Sequence, residues 1–380
     1  MKNIICIETQ RLFRKRKYGM EVAALHWLRQ LQKTKSGVQF KVLVKADEDE
    51  CLQDTENVSV IKIPVKPYPV WEQIIMPGVA KKLGARLLHC TSNTAPLFTK
   101  IPLVVTIHDV IYMNKNEYSG SAYQNFGNKY RRFIVPRIAK KAKAIITVSQ
   151  FSKQEIMNAL QIPGQKITVI YNGVNPRFKM EGNIEKNNSF FDKYQLPNKY
   201  ILHFGNTATR KNTLGVLLGF KKYVEENENP VNLVISGCRK EVILDLLLQH
   251  NLQQIQAYLY LPEYIHPDDL PLLYENAITF VCPSFSEGFG MPIIECMACG
   301  TPVITSNTTS LPEIAGNAAL LVNPYNHGEI AHAIQQVVTQ PELCQNLQAL
   351  GFENVKRFNW ENTVTETLKV YEKVLKENLN

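Results

Sequence analysis

Residues 278–306, ITFVCPSFSEGFGMPIIECMACGTPVITS, constrain the fold more than any other stretch of this chain. An apolar strand-like run, 278–284, enters a turn bracketed by Gly288 and Gly290. An apolar helical run follows, and the β-branched run 302–306 closes the segment. This is one β-loop-α-β unit. In open α/β sheets, ligands bind at the carboxyl ends of strands, where helix N-termini offer unpaired N–H groups. Glu287 falls in that loop, and seven residues separate it from Glu295. Glu295 then lies one to two turns into the helix, where it can face the same crevice. A carboxylate suits a vicinal diol, because it accepts two hydrogen bonds.

The same alternation runs along the whole chain. Strands read at about 3–7, 39–44, 58–63, 87–90, 103–108, 144–148 and 167–171, and helices at about 20–33, 70–83, 122–142 and 150–160. A polar stretch, 175–188, reads as an interdomain linker. Beyond it come strands at 200–205, 231–237, 258–262, 278–284, 302–306 and 319–324, with helices near 212–226, 239–250 and 268–277. Regular alternation predicts an α/β chain of two Rossmann-like domains with parallel sheets, over 1–175 and 190–357. The tail 358–380 reads as a helix with Val364, Leu368, Tyr371 and Leu375 on its apolar side.

Charge is uneven. Residues 1–175 hold 27 Lys/Arg against 12 Asp/Glu, whereas 176–380 hold 16 against 22. The basic residues concentrate at 11–17 and 129–143. No aromatic-basic recognition motif accompanies them, so nucleic acid is not an expected partner. An anionic membrane surface or a phosphate-bearing lipid acceptor fits better, beside the plain alternative of a solvated basic face. No apolar run reaches 18 residues and no signal-peptide pattern opens the chain, so a cytoplasmic protein is expected, peripheral on the inner face of the membrane at most. The eight cysteines are scattered among apolar neighbours. Cys296 and Cys299 read as packing residues rather than a metal or redox pair.

Other residues carry chemistry. Arg210 and Lys211 follow the strand 200–205 and precede a helix capped by Asn212 or Thr213. Two cations beside a helix N-terminus at a strand end suit a diphosphate, whereas in isolation such a pair reads as two solvated loop cations. His108-Asp109 ends the strand 103–108; in isolation such a pair reads as structural. The formal D-x-D, Asp47-Glu48-Asp49, reads as a solvated acidic loop, and no metal is expected. A dinucleotide fingerprint is absent, since Ile293 stands where its third glycine would be. His203 and His266 read as structural or solvated, and Trp27, Trp71 and Trp360 as packing residues.

The run EGFGMPIIECMACGTPVITSNTTSLPEIAG, continued through ALLVNP, resembles the E-x7-E signature of family 4 retaining glycosyltransferases, which have the B-type glycosyltransferase fold. The resemblance is strong over 200–325, moderate over 100–175 and weak over 1–95. It implies two domains facing across a cleft, with the final helix returning to the N-terminal domain. It implies a nucleotide-diphosphate sugar donor, GDP-mannose or a UDP-sugar, held by the C-terminal domain. Glu295 would take the ribose, Glu287 the transferred hexose, and Gly288, Phe289, Gly290 and Met291 the sugar and phosphates. Arg210 and Lys211 would hold the diphosphate; Asn206 stands where many members carry a further Arg. His108 would line the catalytic centre, Gly19 would approach the donor, and the backbone at Ile265 would edge the base. The acceptor would be a glycan or a polyprenyl-diphosphate-linked glycan on the N-terminal domain, in cell-envelope polysaccharide synthesis, with anomeric retention, no cofactor and no metal. The alternatives are a non-catalytic sugar-nucleotide or glycan-binding module, and an epimerase or phosphorylase on the same fold.

Overall fold

The computed structural model describes residues 3–15, 17, 19–64, 67–113 and 122–377, with the backbone alone at 122–124. Arg16 and Tyr18 of the basic loop and the last three residues of the tail lie outside these. The chain divides into two compact units, residues 1–173 with 359–380, and residues 174–358.

Unit 1 carries seven strands: β1 (Ile4–Glu8), β2 (Gln39–Lys45), β3 (Val58–Ile63), β4 (Leu87–Cys90), β5 (Leu103–Thr106), β6 (Ala144–Thr147) and β7 (Ile167–Val169). Their order is β3-β2-β1-β4-β5-β6-β7, and every pairing is parallel. Unit 2 carries β8 (Tyr200–Phe204), β9 (Asn232–Ser236), β10 (Leu259–Tyr260), β11 (Thr279–Cys282), β12 (Val303–Ser306) and β13 (Ala319–Val322). Their order is β10-β9-β8-β11-β12-β13, again all parallel. Central strands covered by helices on both faces lack polar alternation. Accordingly β4, β5 and β12 are buried throughout. Both sheets are the doubly wound type, whose strand order reverses at one point, β1/β4 in unit 1 and β8/β11 in unit 2. A crevice opens there at the carboxyl ends.

Two expectations need correction. The stretch 175–188 is not a linker: Phe178 is a core residue of unit 2. The helix Ile184–Tyr194 begins within it, capped by Asn183, whose Oδ1 accepts from Lys186 N–H at 3.0 Å. Its sequence is polar because only one face is buried. The helix expected at 70–83 is a composite, with a π-helical turn, Trp71–Ile75, between Tyr68–Val70 and Met76–Lys82. The helices His327–Thr339 and Pro341–Val355 follow β13 and complete unit 2.

The tail helix, Trp360–Glu377, belongs to unit 1 and packs on the helix Gly19–Gln32. Its buried stripe is Trp360, Thr363, Val364, Thr367, Val370, Tyr371 and Val374, while Leu368 and Leu375 lie at its edge. The apolar pattern alone misplaces this stripe because two of its members are threonines. Thr363 Oγ1 donates to Tyr171 O at 2.8 Å and Thr367 Oγ1 to Thr363 O at 2.7 Å, so both hydroxyls are buried without penalty. No helix among the described residues is long and apolar enough to cross a membrane.

Candidate active site

Unit 2 builds its candidate site on the loops after β8 and β11, at the switch point. The chain leaves β8, makes a short 3-10 turn, Thr209–Lys211, and enters the helix Thr213–Glu225. Asn212 is the pivot, with φ of 57°. Its Oδ1 caps the helix by accepting from Gly215 N–H at 3.2 Å. Its Nδ2 donates to Pro283 O at 2.9 Å and to Pro324 O at 2.8 Å. One side chain therefore ties together the loops that follow β8, β11 and β13. Phe285 N–H donates to Arg210 O at 2.8 Å, which fastens the β8 and β11 loops again.

That framework brings Arg210, Lys211 and Glu287 together. Arg210 Nη1 lies 3.0 Å from Glu287 Oε2 and donates to Ser286 O at 3.2 Å. Lys211 Nζ pairs with Glu287 Oε1. Burial pushes the Glu287 carboxyl up, but Lys211 and Arg210 outweigh it and hold the group below its ordinary range. The carboxylate that the resemblance places against sugar hydroxyls also pairs with both cations and aligns them.

Gly288, Phe289 and Gly290 lead into the helix Met291–Ala298, capped by Gly290 at φ of 114°. A Cβ at Gly290 would lie 2.9 Å from Leu311 Cδ2, so glycine is required twice over, by conformation and by space. Ser310 Oγ lies 2.9 Å from Glu287 O and 3.0 Å from Phe289 O, which fixes the turn from outside. The S-x-x-E pattern Ser310–Glu313 looks like a capping box, yet Ser310 makes no side-chain cap and serves this turn instead. Phe289 is buried edge-on against Phe358.

Glu295 has different partners. Tyr274 Oη donates to its Oε2 at 3.3 Å. Burial raises its carboxyl to about 7, against the opposing pull of Arg177 and the Tyr274 bond. Neither partner was legible in the sequence, because both lie on other elements of unit 2. Ile265 is buried in the core beside Tyr274. His203 is buried, with Nδ1 2.8 Å from Val281 O and a pKa lowered by burial to about 4, so it is structural. His266 caps its own 3-10 turn, with Nδ1 accepting from Asp268 N–H at 3.3 Å. Cys296 and Cys299 are buried, unbridged packing residues.

Unit 1 places His108 just beyond β5. Its Nε2–H donates to Thr91 O at 3.0 Å, and Asn93 Oδ1 accepts from His108 N–H at 2.7 Å. Burial lowers its pKa, so the ring is neutral at pH 7 with Nδ1 as the lone-pair nitrogen. Asp109 Oδ1 accepts from Ile111 N–H at 3.2 Å and so shapes the loop. His108 lines a cavity of about 50 Å³ together with Trp27, His89, Thr91, Thr106 and Trp360. Gly19 opens the helix Gly19–Gln32 and has open space where a Cβ would stand. The Asp47-Glu48-Asp49 acids pair with Lys45, Lys15 and Lys17. Among the described residues no His, Cys, Asp or Glu cluster suits a metal ion.

Sequence reasoning passed over a buried acid pair at the unit 1 switch point. Glu8 ends β1 and Glu72 lies in the π-helical turn. Glu72 accepts from Tyr68 Oη and Tyr130 Oη, both at 2.6 Å. Burial raises the Glu8 carboxyl to about 7. The one signal was an acid closing an otherwise apolar strand.

Comparison with known proteins follows the same division. Residues 185–353 match the family model described as glycosyl transferases group 1, and residues 18–178 that described as Glycosyltransferase Family 4. The O-antigen chain mannosyltransferase B of Escherichia coli is 33% identical over 272 residues, which cover 70% of this chain and 69% of that protein. The serotype-specific mannosyltransferase WbdA of Escherichia coli is 29% identical over 280 residues, 72% of this chain but 33% of that protein, so the chain spans about a third of its length. Among solved structures, HepE of Anabaena in complex with UDP-glucose superposes with a TM-score of 0.75, covering 97% of this chain and 99% of that one. At 15% identity this is a likeness of fold alone.

Proposed function

The chain belongs to glycosyltransferase family 4, and on that premise we propose that it moves a mannosyl residue, with retained anomeric configuration, from GDP-mannose to a polyprenyl-diphosphate-linked envelope glycan. As a glycosyltransferase of polysaccharide synthesis it must stabilise a departing nucleoside diphosphate. The observation that carries the reading is the Arg210–Lys211–Glu287 cluster beside the Gly290 helix N-terminus. Two cations held by one carboxylate retain a net positive charge. They are already ordered before the donor arrives, so little reorganisation accompanies the growth of charge on the leaving phosphate. Cations and a helix N-terminus do here the work of a divalent ion, and the reaction proceeds without metal. Glu287 meets the transferred hexose, and Glu295 the ribose hydroxyls. Sugar and phosphates lie over the 288–291 backbone, and the base lies by Ile265. His108 contributes a neutral ring whose Nδ1 accepts a hydrogen bond from a sugar hydroxyl, and Gly19 lets the backbone approach the donor. Relatives that act as mannosyltransferases of O-antigen synthesis support the choice of sugar and acceptor. The basic balance of residues 1–175 suits an anionic, lipid-linked acceptor and peripheral contact with the inner face of the membrane.

A thermal-shift series tests this reading. GDP-mannose should raise the Tm, unchanged by EDTA, and the shift should vanish in Glu295→Ala. UDP-glucose, UDP-galactose and ADP-glucose should give smaller shifts. A larger shift with a UDP-sugar would overturn the donor assignment, and an EDTA-sensitive shift would overturn metal independence.

A further inference from the structure

The helix Ala122–Lys141 turns an unusual face outward. Its inner positions Ile134, Val135, Ile138 and Ala139 are buried in the unit 1 core. Its exposed positions Phe126, Lys129, Phe133, Arg137 and Lys140 recur three or four residues apart, so they form one line along the helix. Phe126 is 57% and Phe133 54% exposed. The helix contains no acidic residue. The Arg137 guanidinium stacks 3.7 Å from the Phe133 ring centroid, which makes an aromatic body with a cationic tip.

Neighbouring segments extend the face. Lys141 Nζ donates to Leu97 O and, at 2.7 Å, to Thr99 O, which brackets Phe98 against the end of the helix. Phe98 is 88% exposed. Gln73 Nε2 donates to Tyr130 Oη at 2.9 Å, and Gln73 Oε1 accepts from Leu97 N–H at 2.8 Å. This bond pair sets the next residue, Ile74, 67% exposed, beside the same surface. Four large apolar side chains interleaved with cations lose free energy in water, yet they match a bilayer interface. There the rings enter the acyl boundary and the cations meet lipid phosphates.

We propose that this surface, the outer line of Ala122–Lys141 with Phe98 and Ile74, docks the protein on an anionic bilayer. The inference deepens the membrane contact proposed above by assigning the residues that make it. The full-length protein is sedimented with vesicles of pure phosphatidylcholine and with vesicles containing phosphatidylglycerol. Binding should favour the anionic vesicles and weaken with salt. Lys129→Ala with Lys140→Ala should lower the partition coefficient by about 25-fold, at about fivefold per cation. Phe98→Ser with Phe133→Ser should lower it on anionic vesicles even at low salt. Circular dichroism and the nucleotide-sugar thermal shift should stay unchanged in both double variants. Wild-type binding with no loss in either variant would overturn the assigned surface and leave membrane contact standing. No sedimentation with either vesicle would overturn both, while glycosyl transfer stands. Duplex DNA bound as tightly as anionic vesicles would overturn the bilayer as its occupant.

Discussion

Glu287 and Glu295 are chemically identical, and unit 2 drives their acidities apart. Two cations hold Glu287 ionised, and burial pushes Glu295 to about 7. For Glu295 the native state keeps a proton that the unfolded chain, with a value of 4.5, releases earlier. The unfolded state therefore binds fewer protons between pH 4.5 and 7, and stability falls as pH rises through that window. The loss is at most about 3 kcal/mol and is complete above pH 7. Glu295→Gln should thus raise the Tm of the free protein at pH 8 and leave it unchanged at pH 4.5, while weakening the nucleotide-sugar shift. A lower Tm at pH 8 would show that the carboxylate is well solvated. Glu287→Ala works in the opposite sense. It leaves Arg210 and Lys211 without their shared counter-charge and should lower kcat by on the order of 10²–10³. Its effect is read from the rate of nucleotide release with saturating donor; a change below threefold would remove Glu287 from the catalytic machinery.

At the scale of the element, two glycines separate backbone need from ligand need. Gly290 has φ of 114° and a neighbour 2.9 Å from a would-be Cβ, whereas Gly19 has neither restraint. Gly290→Ala should cost about 1–3 kcal/mol through strain at the helix cap. Gly19→Ala should be neutral or stabilise slightly, since it stiffens the unfolded chain at a helical position. Tm measurements on both variants check the pair. If Gly19→Ala nonetheless lowers kcat/KM severalfold at unchanged Tm, its openness serves the donor. The same contrast explains what a sequence can disclose. The limits of the strands 58–63 and 87–90 were legible directly from their runs of apolar residues, the second of which is buried throughout. The grouping of Arg210, Lys211 and Glu287 could be anticipated from their places after strands. Asn212 could be foreseen as a cap but not as a strut to Pro283 and Pro324, because its amide reaches carbonyls distant in sequence. Tyr274 beside Glu295 was hidden for the same reason. Phe190 was hidden by its polar neighbours, and the π-turn has no periodicity of its own.

At the scale of the whole molecule, all three tryptophans, Trp27, Trp71 and Trp360, belong to unit 1, so indole fluorescence reports that unit alone. The tail helix is part of the same unit despite arriving last in the chain. It buries Trp360, Val364, Val370, Tyr371 and Val374. At about 1.5–3 kcal/mol for each large side chain, this burial contributes on the order of 10 kcal/mol as an upper estimate. That is comparable to the entire stability of a domain. Tyr371 Oη also lies 2.5 Å from Nδ1 of buried His89, whose pKa burial lowers to about 3. Removing residues 359–380 strips that neutral ring of a partner as well as uncovering the core. The truncated chain should therefore show red-shifted emission from Trp27 and Trp71 at 25 °C and no cooperative fluorescence transition. Tyr371→Phe should lower the fluorescence-detected Tm by an amount worth about 1–3 kcal/mol. Unit 2 holds the proposed donor residues other than Gly19 and His108, and no tryptophan, so the nucleotide-sugar shift followed by circular dichroism should be reduced but not lost after the truncation. Blue-shifted emission with an unchanged fluorescence transition after truncation would mean that unit 1 folds without its returning helix.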